Sequence, residues 1–242
     1  MSNDPPTQSE AEFLAHYDGS AFERPSLAVD VALIHLHKRG LAALLIRRDA
    51  HPYRHALALP GGFVGIGESL DDAAERVLRD KAGLSDVFLE QLYTFGAPER
   101  DPRMRIVSVA YYALIDGSRL AGHGLEAVSA EIRVPWSGEA GGPVEVMLDG
   151  VTVPLAFDHA EILGMAIRRV RGKLDYSPIG FEFLPELFTL RQLRQVHETV
   201  LGRTLNKDSF RRRMLASGQL EATGERQRAV DHRPAELYRF LT

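Results

Sequence analysis

Residues 59–84, LPGGFVGIGESLDDAAERVLRDKAGL, decide the fold. The first half is punctuated by Pro60, Gly61, Gly62, Gly65 and Gly67 and reads as loop. The second half reads as a helix over 69–82. Ser69 suits the N-cap, with Asp72 three residues on, and Gly83 suits the left-handed residue that closes a helix. Leu70, Ala73, Ala74, Val77 and Leu78 recur at helical spacing. Positions 77, 80 and 81 stand at i, i+3 and i+4 and so share one helix face. They hold an alkyl group, a carboxylate and an ammonium: Val77, Asp80 and Lys81. Gly61 and Gly62 leave space for a phosphate to approach the backbone, or simply satisfy a turn.

Upstream, Ser9 and Glu12 make a capping-box pattern for a short helix over 9–17. Residues 27–36 and 41–48 read as strands joined through Lys38-Arg39-Gly40. Arg47 and Arg48 end the second strand. They alternate across it, so at most one reaches a ligand held by the following loop; Arg48 is the candidate. Downstream, 87–95 and 105–115 read as strands, 138–142 as loop, and 144–155 as a hairpin turning at Asp149-Gly150. A helix follows over 158–173, then a linker over 176–185 with two prolines.

The remaining chain is mostly helical. Thr189 and Gln192 form a capping box for a helix ending at Gly202, and a second helix runs from about Lys207 to Ser217. Phe210, Met214 and Leu215 are its expected buried side. Strand-like pieces over 220–223 and 236–241 flank an arginine-bearing loop. Helix, turn, helix and hairpin is the order of a winged helix-turn-helix. The expected division is a first domain over 1–157 and a second over 158–242.

Composition narrows the function. A 242-residue chain with 45% hydrophobic and 26% charged residues is neither disordered nor collagen-like nor a coiled-coil rod. No apolar run approaches the roughly 18 residues of a membrane span. No secretory signal pattern opens the chain, so the expected location is the cytoplasm. With no cysteine, disulfides, thiolate zinc sites and cysteine nucleophiles are excluded. Before Leu155 there are 14 basic and 22 acidic side chains; from Leu155 onward there are 15 and 11. An acidic front and a basic back suggest two tasks, one involving a polyanion.

Gly62, Glu68, Arg76, Leu78, Gly83 and Leu84 resemble the Nudix box, G-x5-E-x7-R-E-U-x-E-E-x-G-U, where U is bulky and apolar. The resemblance implies an α/β/α sandwich that handles nucleoside diphosphates linked to another group. It also implies a metal-binding carboxylate trio at the positions of Val77, Asp80 and Lys81. Only Asp80 is a carboxylate here, and Lys81 would repel a hard cation. The expectation is therefore a ligand-binding domain with no catalytic residue, no metal site and no required cofactor. Lys81 either neutralises diphosphate charge or is a solvated surface residue. Glu68 and Arg76 are expected chiefly to brace the loop, with ligand contact the lesser reading. Arg100 and Arg103 either bind a diphosphate or pair with Asp101. Arg48, Gly61, Gly62, Glu68, Arg76, Asp80, Lys81, Arg100 and Arg103 form the candidate ligand set.

In the tail, Arg211-Arg212-Arg213 sweep about 200° of helix face at roughly 100° per residue, so at least two face solvent together. Few acidic residues stand at helical spacing to neutralise them. Lys207, Arg211, Arg212 and Arg213, with Arg226, Arg228 and Arg233 of the wing, suit phosphate contact and base reading in duplex DNA. Thr189, Arg191 and Gln192 open the first tail helix, where backbone N–H groups favour a phosphate.

Residues 13–33, 100–103, 155–163, 181–193, 208–214 and 233–240 are together similar to the NrtR family of Nudix-related transcriptional regulators. That resemblance implies a homodimeric repressor of NAD-metabolism genes. It would bind double-stranded operator DNA and respond to ADP-ribose or a relative. The competing readings are an ADP-ribose pyrophosphatase with other metal ligands (Glu68, Glu75 or Glu99), a regulator sensing a sugar or its phosphate, and a module whose tail only dimerises.

Overall fold

A computed structural model describes residues 9–37, 40–120, 127–227 and 234–241. The chain opens with helix α1 (Glu10–His16), capped by Ser9 and Glu12 as the sequence predicts. Strands β1 (Ser26–His37), β2 (Gly40–Arg47), β3 (Leu57–Ala58) and β4 (Gly61–Phe63) lead into helix α2 (Leu70–Val77). Beyond α2 the helix widens into a π turn over Leu78–Ala82 and closes at Gly83, whose φ of 64° is the left-handed conformation glycine tolerates. Strands β5 (Phe88–Phe95), β6 (Ile106–Ile115), β7 (Ala127–Arg133), β8 (Glu145–Leu148) and β9 (Val151–Val153) follow. Helix α3 (His159–Lys173) comes next, then a short 3-10 helix over Pro178–Phe183. Helices α4 (Leu190–Leu201) and α5 (Lys207–Ala216) and strands β10 (Leu220–Arg226) and β11 (Glu236–Phe240) complete the chain.

The large sheet runs β5-β6-β1-β2-β7-β8-β9, with β3 beside β2 and β4 beside β1. β1 and β6 are parallel over ten residue pairs, and the other pairings are antiparallel, so the sheet is mixed. Successive residues of a strand face opposite sides, and β1 sorts its side chains accordingly. Val29, Val31 and Leu33 join Ala73, Ala74, Val77 and Leu78 of the α2 region in one core layer. Ala32 and Ile34 join Ile162, Leu163, Ala166, Ile167 and Val170 of α3 in the other. The mixed α/β sandwich expected from the box is present.

One core crosses the expected division. Helix α3, placed at the start of the second domain, packs against the sheet as its second helical layer. The stretch read as a linker buries Ile179 and Phe183 in the same core, which also receives Val196 and Val200 of α4. Sequence reading also missed β7, because AVSAEIR alternates mostly among small and polar residues. The 144–155 hairpin turns at Asp149 and Gly150, both at positive φ, as predicted. The tail packs as helix, helix and hairpin around Phe188, Leu190, Leu193, Phe210, Met214 and Tyr238. Leu215 is 45% exposed and stands outside that core, contrary to expectation.

Candidate functional site

One cleft opens where β1, the end of β2, the β3–β4 loop, the segment before β6 and the start of α3 converge. Five of the candidate ligand residues line it: Arg48, Gly61, Gly62, Arg100 and Arg103. Asp30, Phe63, Asp101, Phe157 and His159 complete its polar and aromatic wall. Gly61 is required by close approach: a Cβ there would run into the Asp30 carboxylate and the Val29 carbonyl.

The two cationic segments behave differently. The Arg100 guanidinium is 5% exposed and donates to Asp158 at 2.8 and 2.6 Å and to Asp30 at 3.2 Å. Burial alone would weaken that cation, but the two carboxylates more than offset it and its pKa is raised. Arg100 thus ties α3 to β1. Arg103 makes a two-pronged bond to Asp101 at 3.0 and 2.7 Å, yet keeps 43% of its side chain exposed. Of the two roles expected for Arg103, the pair with Asp101 is present, and the paired guanidinium also borders the cleft. Asp30 also accepts from the Ser108 hydroxyl at 2.6 Å. His159 Nδ1 accepts the Leu59 N–H at 2.9 Å, which leaves the proton on Nε2, 3.5 Å from Asp30. Burial pushes the His159 pKa down and keeps the ring neutral.

Phe157 stands at the mouth of this network at φ 54°, an uncommon conformation for a bulky side chain. Arg48 lies over its ring at 4.8 Å, Arg103 lies 5.9 Å from it, and Tyr53 meets it edge-on at 4.8 Å. Burial, then the neighbouring Arg103 charge, lowers the Arg48 pKa. An aromatic face between two guanidinium groups, beside a glycine-lined backbone, suits a planar ring joined to an anion. Sequence reading missed Phe157, His159 and Asp30. Phe157-Asp158-His159 lies in a family-like segment, but nothing in its local pattern marks a cleft.

The other four candidates are not in the cleft lining. Glu68 accepts from Arg76 at 2.6 and 2.8 Å and from the Gly65 N–H at 2.9 Å, while Arg76 also donates to the Phe63 carbonyl. The Arg76 bond and then the Gly65 N–H hold the Glu68 carboxyl at about 2. This pair clamps the loop to α2, as expected. Asp80 and Lys81 are exposed, and Val77 is 2% exposed in the core. The Val77 side chain packs beside Gly62, filling ground a charged side chain would need. One carboxylate, one alkyl group and one ammonium do not fit a divalent cation. Among the described residues no group of three metal-ligating side chains is assembled.

A second candidate surface lies on the tail. Asn206 caps α5, and the Phe210–Met214 stripe buries one side of it. At about 100° per residue, Arg212 points directly away from that stripe, with Arg211 and Arg213 on opposite flanks. Arg213 reaches Asp175 at 3.3 Å and lies over the Phe210 ring at 5.6 Å. It is therefore turned toward the first domain and separates from the other two. Arg211 shares a groove with Arg191 and Lys207, between the start of α4, α5 and β11. Thr189 is 3% exposed and is spent, with Gln192, on the capping box. Arg226 sits on the exposed wing and donates to the Pro234 carbonyl at 3.4 Å. Arg228 and Arg233 lie outside the described residues.

Comparison with known proteins matches both parts. Residues 25–136 match the NUDIX domain, and residues 180–240 match the NrtR DNA-binding winged helix domain. The chain is 36% identical over 234 residues to the ADPR responsive transcriptional repressor NtrR of Acinetobacter baylyi, covering 96% of this chain and 88% of that one. The crystal structure of Shewanella oneidensis NrtR complexed with a 27mer DNA superposes with a TM-score of 0.74 at 33% identity, covering 89% of this chain and 93% of that one. The NUDIX domain of the same protein, complexed with ADP ribose, superposes with a TM-score of 0.52 at 32% identity, covering 67% and 99%. With its eroded box, its sandwich and its winged helix in this order, the chain belongs to the NrtR family of Nudix-domain transcriptional regulators.

Proposed function

We propose that this protein is a cytoplasmic, homodimeric transcriptional repressor of NAD-metabolism genes that senses ADP-ribose or a related nucleotide. The observation that carries this reading is the union of two surfaces in one chain. One is a cleft with Phe157 between Arg48 and Arg103; the other is an α5 whose Arg212 faces away from its own core. The relative bound to ADP ribose and the relative bound to DNA support the assignment of one ligand to each surface.

In the cleft, Phe157 offers a stacking face for a base or ribose, and Arg48 and Arg103 supply positive charge for a diphosphate. Gly61 and Gly62 let the backbone approach it. The domain binds without cleaving, because Val77 and Lys81 replace two carboxylates of the trio and Glu68 is committed to Arg76. On the tail, Arg191, Lys207, Arg211 and Arg212 contact phosphates or bases, and the wing bearing Arg226, Arg228 and Arg233 lies along the duplex. Two copies reading a two-fold operator need recognition helices about 34 Å apart, or a multiple of it. An effector that favours another arrangement lowers operator affinity by linkage.

The test is a co-titration of duplex DNA and ADP-ribose, with Mg²⁺ or Mn²⁺ present and product analysis in the same tube. The expected result is DNA release with ADP-ribose intact. Turnover at about 1 per second or faster, typical of working enzymes, together with indifference to DNA at low salt, overturns the proposal in favour of a pyrophosphatase.

A further inference from the structure

Arg171 is a buried cation with no carboxylate partner among the described residues. It is 7% exposed, and burial lowers its pKa. Its guanidinium donates to three carbonyls: Val200 at 2.7 Å, Gly138 at 3.0 Å and Trp136 at 3.4 Å. It also lies over the Trp136 ring at 4.7 Å. Val200 is in the last turn of α4, whose carbonyls form the negative end of that helix and favour a cation. Trp136 and Gly138 follow β7 of the first domain. Arg171 therefore joins the end of α4, the first helix of the winged-helix part, to the sheet domain through one planar fork.

Burying an unpaired charge is costly, and apolar contacts already close this junction. Val196 and Val200 share the core of Ile167, Val170 and Leu174. A cation adds little cohesion there; its gain is orientation, because a planar fork fixes angles that apolar packing leaves soft. The same helix, α3, begins in the effector cleft. Asp158 at its N-cap holds Arg100, and Phe157 precedes it. One helix of 15 residues thus has the cleft at one end and the winged helix at the other.

We infer that Arg171 is the positioning residue through which α3 imposes the state of the cleft on the winged helix. The inference rests on the proposed effector-responsive DNA binding and names the contact that transmits it. It concerns the junction within one chain, not the ligand or the operator.

The test uses full-length wild type, Arg171→Met and Arg171→Lys, with a duplex enriched by the wild-type chain from a random library. Three quantities are measured: ADP-ribose affinity, duplex affinity, and duplex affinity at saturating ADP-ribose. The wild-type ratio of the last two is expected within the usual range of allosteric coupling, about 5- to 150-fold. In Arg171→Met the ratio falls toward one, while intrinsic ADP-ribose affinity stays within about twofold. Arg171→Lys keeps the charge without the fork, gives an intermediate ratio, and carries the test if the Met variant does not fold. A variant that loses duplex affinity equally with and without ADP-ribose, keeping the wild-type ratio, overturns the inference and leaves Arg171 a structural residue. A wild type that ignores ADP-ribose fails at the earlier step and removes the functional proposal itself.

Discussion

Removing the guanidinium of Arg212 tests the DNA interface most directly. Arg212 projects from the side of α5 opposite Phe210 and Met214, and no ion pair within the described residues holds it. If it contacts a phosphate, the proposed homodimer loses two such contacts in Arg212→Ala. Each phosphate contact on B-DNA contributes about 0.9 to the slope of log affinity against log salt. The slope should then fall by roughly 1.8. Raising salt fourfold, from about 50 to 200 mM, multiplies the wild-type loss of affinity by about twelve relative to the variant. If Arg212 instead reads a base edge, the slope holds and affinity falls by about 1–3 kcal/mol per contact. Arg213 is the internal control. It lies on the flank facing Asp175, 3.3 Å away, so Arg213→Ala should leave both slope and affinity close to wild type. Fluorescence anisotropy of a labelled duplex across four salt concentrations reads both quantities. The geometric assignment is refuted if Arg213→Ala costs as much as Arg212→Ala, or if neither variant differs from wild type.

Phe157→Ala should weaken ADP-ribose binding by about 0.5–1.5 kcal/mol, the usual worth of an aromatic pair, and leave effector-free DNA affinity unchanged; calorimetry and anisotropy check the two halves. Val77→Glu should destabilise the fold by about 3–5 kcal/mol, because it buries an unpaired carboxylate beside Ala73 and Ala74. It should not bring Mg²⁺-dependent turnover, so recovered hydrolysis at wild-type stability would show that the helix face has room for the ion. His197 makes the acid response predictable: burial, then the Arg213 charge, lowers its pKa to about 4 from 6.5, with Asp175 opposing. The unfolded chain takes up this proton near pH 6.5 and the folded chain only near pH 4. Stability therefore falls with pH across that window, by about 3 kcal/mol in total at 1.36 kcal/mol per unit, and no further below it. Urea unfolding of His197→Leu should show a shallower acid decline than wild type over that window, and parallel curves would contradict the burial argument.

The parts of this protein legible in sequence are those governed by local rules. Ser9, Ser69 and Thr189 cap helices because a side-chain oxygen can reach an N–H three residues on. The Glu68–Arg76 clamp was expected only through the resemblance to the Nudix box, and it ties a loop to the helix that follows it in sequence. Illegible were the contacts whose partners are distant in sequence: Arg100 with Asp158 and Asp30, His159 with Leu59, Arg171 with Val200. No periodicity announces these, since each depends on which strand the sheet places beside which helix. The packing of α3 on the sheet was hidden for the same reason. Its apolar stripe says that one side is buried, not against what.

The three arginines of α5 show how a packing partner changes the reading of a charge run. Sequence alone makes them equivalent donors separated by 100° steps. Once Phe210 and Met214 fix the inward direction, Arg213 turns toward the first domain and meets Asp175, while Arg212 faces away from the core with no ion pair among the described residues. The same logic applies at the cleft, where Arg100 is consumed in holding α3 and Arg103 stays 43% exposed despite its pair. Pairing alone does not take a cation out of reach: the Arg100 side chain is 5% exposed, whereas those of Arg103 and Arg213 stay 43% and 50% exposed beside their carboxylates. Carboxylates at both ends of α3 meet an arginine, but with different weight: Asp158 at its N-cap holds the buried Arg100, while Asp175, just past Lys173, meets Arg213 at the surface, where an ion pair contributes little.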